Sequence, residues 1–429
     1  MTYRITSTIL AAAILAACGL GDDTPAERDN ASASAAERAG TAAAVDTAPA
    51  TALASGPAEL SPGEIEAGRL DSTWKQYVEV DPDTAPPADS AAPGDTTAAD
   101  TTAARWEDIS PETVNAPIRS LPVHGDVEGP AVARIQILLD QARFSPGIID
   151  GRWGKNTEKA VYWFQKANGL SATGRVDRAT LDALTGRGGS RPVRAHRLTE
   201  QDVAGPFRDL PDDVYARAEQ PCLCYESLEE KLSEVFHATT VLLEQLNPGV
   251  DLGSVRSGQT LQVPGVEPFH TDALPDGTYT GGGEVARIVI SDGGHYVHAL
   301  DETGRVLYHF PSTMGSDYAP SPQGRYSVES ITFEPTWHYQ PDLLTGVDPE
   351  KEDAMLPGGP NNAVGIVWMQ LSKPHYGIHG TRAPETIGYA TSHGCVRLTN
   401  WDAAFLARRS PPGVPVEFRD VAGRSQGTG

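Results

Sequence analysis

The chain has few cysteines, little positive charge, a modest apolar fraction and no long hydrophobic run, and each shortage narrows what it can be. Lysine and arginine number 34 against 57 aspartates and glutamates, a net charge of −23. A phosphate backbone attracts the opposite sign, so nucleic acid is excluded as a partner and the charge reads as solubility. Apolar residues make up 39% of the 429 residues, less than a chain packed throughout would carry. The length implies two or more domains, and the composition implies a sizeable unfolded segment beside them. The apolar stretch Ile5 to Ala17 is interrupted by Thr and Ser and falls short of the roughly 20 residues that span a bilayer. No H-E-x-x-H zinc signature occurs.

What is present begins at the N-terminus. Met1 to Arg4 carries one positive charge, an apolar core follows, and it closes on Leu15-Ala16-Ala17-Cys18 with Gly19 next. That layout is a secretory signal. Its ending resembles a bacterial lipobox, which implies that Cys18 is lipidated; such chains bury enough CH₂ groups to hold a soluble domain at a bilayer. Gly19 in place of Asp is similar to outer-membrane rather than inner-membrane sorting. Four cysteines occur in all. Cys222 and Cys224 form a C-x-C pair that either closes a small disulfide in an oxidising compartment or stays as two small apolar residues. Cys395 is left without an obvious partner, and a lone exported thiol is a candidate nucleophile.

Residues 19–110 are Ala, Thr, Asp, Pro and Ser with few large apolar side chains, so they are expected to be a disordered tether. From 121 to 187 the texture changes. Val132, Ile135, Leu138 and Leu139 recur at helical spacing; Ala160, Val161, Phe164 and Gln165 mark a second helix, and Thr180-Leu181 starts a third. The loop between the first two, with Asp150-Gly151, Gly154 and Thr157, predicts a helix start capped by a side-chain oxygen. This stretch resembles the three-helix peptidoglycan-binding domain. Residues 222–266 predict two short helices around Leu228 to Phe236 and Val241 to Leu246, then a strand at Leu261-Gln-Val-Pro264. They are similar to a LysM module, a fold that binds N-acetylglucosamine polymers. Residues 280–419 read as a mainly β domain, with strands at 285–290, 296–300, 306–310 and 324–328 in a meander and a helix at Trp401 to Arg408. Residues 420–429 are expected to be a disordered tail.

The chemistry gathers in Tyr376-Gly-Ile-His-Gly-Thr381 and Thr391-Ser-His-Gly-Cys-Val-Arg-Leu398. In an extended segment residues two apart face one way, so His393 and Cys395 share a side, with Gly394 allowing close backbone approach. The N–H groups of His393, Gly394 and Cys395 then converge on a developing oxyanion. A thiol needs a base or a positive neighbour to ionise near neutral pH. His379 and His393 are both candidates for the base, and Arg397 adds fixed positive charge.

Ser392-His-Gly-Cys-Val-Arg397, preceded by His379-Gly380, resembles the YkuD-type L,D-transpeptidase motif. Ser321-Pro-Gln-Gly324 and Pro357 through His379 are similar to further blocks of that family, with Ser321 where the family has Thr. The resemblance implies a multidomain chain: a β-sandwich-like catalytic domain behind a three-helix peptidoglycan-binding domain and a small α/β LysM-like module. It implies that Cys395 attacks, that His379 rather than His393 is the base, and that Gly380 orients His379 through its carbonyl. His393 and Gly394 would shape the oxyanion site, supported by Ser392 and Arg397; Tyr376, Thr381 and Trp337 would contact substrate.

The implied reaction is acyl transfer through a Cys395 thioester, with no cofactor and no metal. The donor is a peptidoglycan stem tetrapeptide cut at its L-centre. The acceptor is the amine of a second stem, giving a 3→3 cross-link, or of an anchored lipoprotein. The implied partners are stem peptides, glycan and, through the lipid anchor, a membrane, in the periplasm or cell envelope. Three rivals stand beside this reading: a zinc hydrolase using His379, His393 and Cys395, an inactive wall-binding protein, and the same thiol acting as a carboxypeptidase or amidase.

Overall fold

The computed structural model describes residues 108–419, apart from 189–190, 276, 280–282, 317–318 and 344–347. The expected signal peptide with Cys18, the tether up to 107 and the tail 420–429 lie outside the described residues. The tether's expected end at 110 is too late. Ile109 is buried and Ser110 caps α1 (Pro111–Asn115), accepting the Thr113 N–H. Asn115 then exchanges two hydrogen bonds of 2.9 Å with the backbone of Val193. Ile109 and Val114 both enter an apolar core, which is what offsets the ordering of this stretch.

Three helices follow: α2 (Pro130–Gln141), α3 (Lys155–Ala167) and α4 (Arg178–Gly188). The apolar positions legible in the sequence all turn inward, Val132, Ile135, Leu138, Leu139, Ala160, Val161, Phe164 and Leu181 sharing one core with Phe144. The expected side-chain cap on α3 is not made. Its N-cap is Gly154, and the Thr157 hydroxyl instead accepts from Gln136 Nε2 at 3.2 Å. Gln136 also holds the loop, its Oε1 taking the Asp150 and Gly151 amides at 3.2 and 2.7 Å.

The next module is β1 (Val193–Arg197), α5 (Glu200–Val203), α6 (Val214–Ala218), α7 (Leu228–Val235), α8 (Thr240–Leu246) and β2 (Thr260–Pro264). It begins earlier than the expected 222, because β1 pairs antiparallel with β2 from Val193↔Pro264 to Arg197↔Thr260. Val-Arg-Ala-His-Arg carries little apolar signal, and only Val193 of the five is buried. Cys222 and Cys224 are joined in a disulfide, Cα atoms 5.2 Å apart. Cys395 is the free cysteine among the described residues.

The last module runs β3 (Thr278–Tyr279), β4 (Arg287–Ser291), β5 (Tyr296–Leu300), β6 (Val306–Pro311), β7 (Gly324–Phe333), β8 (Trp337–Tyr339), β9 (Ala354–Leu356), β10 (Val367–Leu371), β11 (Gly377–His379), β12 (Val396–Arg397), α9 (Asn400–Ala407) and β13 (Pro415–Arg419). Nine strands form one curled mixed sheet in the order β12-β11-β10-β7-β13-β4-β5-β6, with β3 against β7. Both ends of the sheet contribute to a single core, Ile288 and Val297 from one side, Ile378 and Val396 from the other, with α9 buried among them. The expected meander holds for β4 to β6. β7 leaves it and lies between β10 and β13.

The modules interlock. Ser145 N–H donates to His309 O and His309 N–H to Arg143 O, at 2.9 and 3.2 Å. Lys159 is buried with its Nζ on the carbonyls of Gly294 and His295, and Trp163 packs edge-on against His298. His298 and His309 hydrogen-bond each other at 3.0 Å inside this contact. Burial and the nearby Lys155 charge hold the Lys159 ammonium down to about 7.

Phe144 stands at this junction, fully buried and edge-on to Phe164. Phe144→Ala is therefore expected to destabilise the protein by about 3–5 kcal/mol. The helical and β modules should still unfold in one urea transition, read by circular dichroism and tryptophan fluorescence together. Two well-separated transitions would contradict the interlocked packing.

Candidate active site

Two short strands build the site. β11 and β12 run parallel with Ile378 opposite Val396 and His379 opposite Arg397. Side chains alternate along a strand, so Ile378 and Val396 enter the core while His379 and Arg397 share the other face. Cys395 precedes Val396 and falls on that face too, diagonal to His379. The Cys395 thiol donates to the His375 carbonyl at 3.7 Å, which holds the sulfur beside the start of β11. A Cβ on residue 377 would come within 2.9 Å of three Trp368 ring atoms, so glycine lets strand and ring coexist.

The turn ahead of the thiol departs from the extended geometry read in the sequence. Gly394 has φ +104, a conformation that side chains rarely adopt, and a Cβ there would lie 2.9 Å from the Tyr376 ring. The chain bends out of the extended form there, with His393 exposed and Cys395 half-buried. Ser392 closes the bend. Its hydroxyl accepts the Gly394 N–H at 3.1 Å and donates to the Cys395 carbonyl at 2.6 Å. The Gly394 amide is thus committed within the turn. Among the described residues no acceptor meets the Cys395 amide.

His379 is buried, its Nδ1 2.7 Å from the Gly380 carbonyl and its ring stacked on Trp368. A carbonyl accepts only, so Nδ1 carries the proton and Nε2 the lone pair. Burial, then the Arg397 charge, holds the ring's pKa down to about 3, against the pull of the Gly380 and Val364 carbonyls. Burial pushes the Cys395 thiol up, with the Gly377 amide and Arg397 pulling it down. The resting pair is therefore neutral thiol and neutral imidazole. Arg397 is held by two 3.0 Å backbone bonds to Thr313.

The other expected contacts divide. Tyr376 packs over Gly394 with Lys373 above its ring at 4.9 Å, so it does line the site. Thr381 is buried and its hydroxyl accepts the Ala383 N–H at 3.2 Å, closing a turn. Trp337 belongs to β8 and packs in a satellite cluster with Leu223, Tyr339 and Leu356. Sequence reasoning missed Asn400, fully buried, whose Oδ1 accepts the Thr381 and Ile366 amides at 3.1 Å each. Its signal was a polar residue directly before the apolar run of α9. Among the described residues no group of three or more His, Cys, Asp or Glu is placed to hold a metal ion.

Residues 285–418 match the profile of the YkuD L,D-transpeptidase catalytic domain, and residues 128–184 that of a peptidoglycan binding domain. A Bacillus licheniformis protein named L,D-transpeptidase YkuD is 32% identical over 189 residues, 44% of this chain and 92% of its own length. Escherichia coli YbiS, also named an L,D-transpeptidase, is 30% identical over 179 residues, 41% of this chain and 55% of its own. A solved L,D-transpeptidase from Xylanimonas cellulosilytica aligns over 71% of this chain and 99% of its own at 19% identity, with a TM-score of 0.29.

With His379 neutral and the thiol raised, iodoacetamide alkylation of Cys395 should climb steadily with pH and show no plateau below about pH 8.5. Arg397→Gln removes the cation that favours the thiolate and should slow alkylation at neutral pH. A plateau already reached by neutral pH would instead indicate a resting thiolate–imidazolium pair.

Proposed function

Because the chain belongs to the YkuD L,D-transpeptidase family, we propose that Cys395 is its acylated nucleophile and His379 the base that serves it. The observation that carries this reading is the register of β11 and β12, with the His379 ring held through Nδ1. In the first half-reaction Nε2 takes the thiol proton as sulfur bonds to the carbonyl carbon of the L-centred third residue of a stem tetrapeptide. The tetrahedral oxyanion then collapses, the C–N bond breaks, and the Nε2 proton passes to the departing D-Ala amine. In the second, an acceptor amine attacks the thioester and gives a proton to Nε2, the C–S bond breaks, and sulfur takes that proton back as the neutral thiol. The Cys395 amide receives the oxyanion, Arg397 supplies positive charge beside both partners, and Tyr376 borders the donor peptide.

Peptidoglycan is the substrate class that the family and the binding domain support. The acceptor we favour is a second stem, giving a 3→3 cross-link, with a lipoprotein amine as the alternative. The helical module, and the LysM-like module beside it, would keep glycan close and raise the local concentration of stems. No helix among the described residues is long and apolar enough to cross a membrane. Lipidation of Cys18 at the outer membrane is our reading of how the enzyme is held in the envelope.

The test incubates soluble protein lacking the first 18 residues with tetrapeptide muropeptides and reads the products by mass spectrometry. Cross-linked dimers that have lost one D-Ala, absent with Cys395→Ala and His379→Ala, are the expected result. Free tripeptide alone would indicate hydrolysis. The absence of any Cys395-dependent product would overturn the acyl-transfer reading.

A further inference from the structure

The peptide unit between Gly380 and Thr381 is gripped at both ends. Its carbonyl accepts from His379 Nδ1 at 2.7 Å, and its N–H donates to Asn400 Oδ1 at 3.1 Å. A peptide unit is planar, so fixing the N–H direction fixes the carbonyl direction. The orientation of the His379 ring therefore depends on where Asn400 points. Asn400 is seated tightly: a Cβ at Gly365 or at Gly380 would lie 2.1 Å from its Oδ1. The Ile366 amide also donates to that oxygen, which leaves the side-chain NH₂ to find acceptors on the far side.

Those acceptors lie partly outside the catalytic sheet. Asn400 Nδ2 donates to the Pro360 carbonyl at 3.2 Å and to Glu234 Oε1 at 2.7 Å. Glu234 belongs to α7 of the preceding module and is itself buried. Its second oxygen accepts from the Tyr225 hydroxyl. Burial holds the Glu234 carboxyl up to about 7, against the bonds from Tyr225 and Asn400; its Oε1, by accepting from the NH₂ end, polarises the Asn400 amide and makes its Oδ1 a stronger acceptor for the Thr381 N–H.

We propose that Glu234 is a positioning residue for the acyl-transfer base, acting through Asn400 on the Gly380–Thr381 peptide that holds the His379 ring. On this account the module carrying α7 is part of the catalytic framework as well as a flanking domain. The inference rests on His379 being the base, as proposed above. It makes the module carrying α7 necessary for turnover even on small soluble muropeptides, where no glycan binding is needed.

Glu234→Ala, Glu234→Gln and Tyr225→Phe separate this route from ordinary packing. Glu234→Ala is expected to lower kcat about tenfold or more with KM nearly unchanged, since it disturbs a catalytic group and leaves the binding surface alone. Glu234→Gln can turn its oxygen to Asn400 and its NH₂ to the Tyr225 oxygen, so it should recover most of the loss. Tyr225→Phe weakens the module's grip on Glu234 without touching Asn400 and should change kcat by less than about twofold. Should the alanine variant not fold, Glu234→Met fills the same space and carries the same expectation.

A second readout needs no substrate. In nitrogen-15 histidine spectra, with His379 assigned by its loss in His379→Ala, the parent should show a single Nδ1–H tautomer and Glu234→Ala a mixture. If the parent makes no Cys395-dependent product, the acyl-transfer reading fails while the spectra still decide the positioning role. An unchanged tautomer in Glu234→Ala, a loss confined to KM, or an equal loss in Tyr225→Phe would each overturn the proposal.

Discussion

Everything in the site depends on the register between two short parallel strands. His379 ends β11 and Cys395 sits one residue ahead of β12, sixteen residues further along the chain, and only the pairing of Ile378 with Val396 sets them diagonally on one face. A slip by one residue would turn the thiol into the core and a valine toward substrate. Several contacts guard against that slip. Arg397 is tied on its other edge to Thr313, and the Ser392 N–H donates to the Met314 carbonyl at 2.7 Å. The loop joining base to nucleophile also leans on the helical module, where Asn156 Nδ2 donates to the Ile387 carbonyl at 2.8 Å. The catalytic geometry is thus a property of three packed modules together.

Burial sets the electrostatics. Dry surroundings disfavour the charged form of every group, which keeps both the Cys395 thiol and the His379 ring neutral at rest. Arg397 is set beside both, and its charge acts in the same direction on each, favouring thiolate and disfavouring imidazolium. On the proposed chemistry, charge separation is confined to the moment of attack, when the proton moves to a lone pair already aimed by the Gly380 carbonyl. Such a site is spared the cost of holding a buried ion pair between turnovers.

How much of this was legible in the sequence depended on distance along the chain. The proposed nucleophile and base and the Gly380 carbonyl lie in two compact motifs, and the helical core followed from a 3.6-residue period. Local pattern failed where tertiary contacts decide. His393 was expected beside Cys395, but Gly394 bends the chain and sends it outward. Thr381 and Trp337 carry the right chemistry for substrate contact, yet one closes a turn and the other packs in a satellite cluster. β1 went unnoticed because its partner strand is more than sixty residues away and only one of its own residues is buried. Asn400 and Glu234 meet across 166 residues, a separation that no local signal spans.

The most direct measurement is the intact mass of the protein quenched during turnover of a stem tetrapeptide. The account predicts an acyl adduct equal to the tetrapeptide less D-Ala, mapped to the peptide containing Cys395 and released by hydroxylamine as a thioester must be. Product formation with no adduct on Cys395, or with an adduct on another residue, would contradict it.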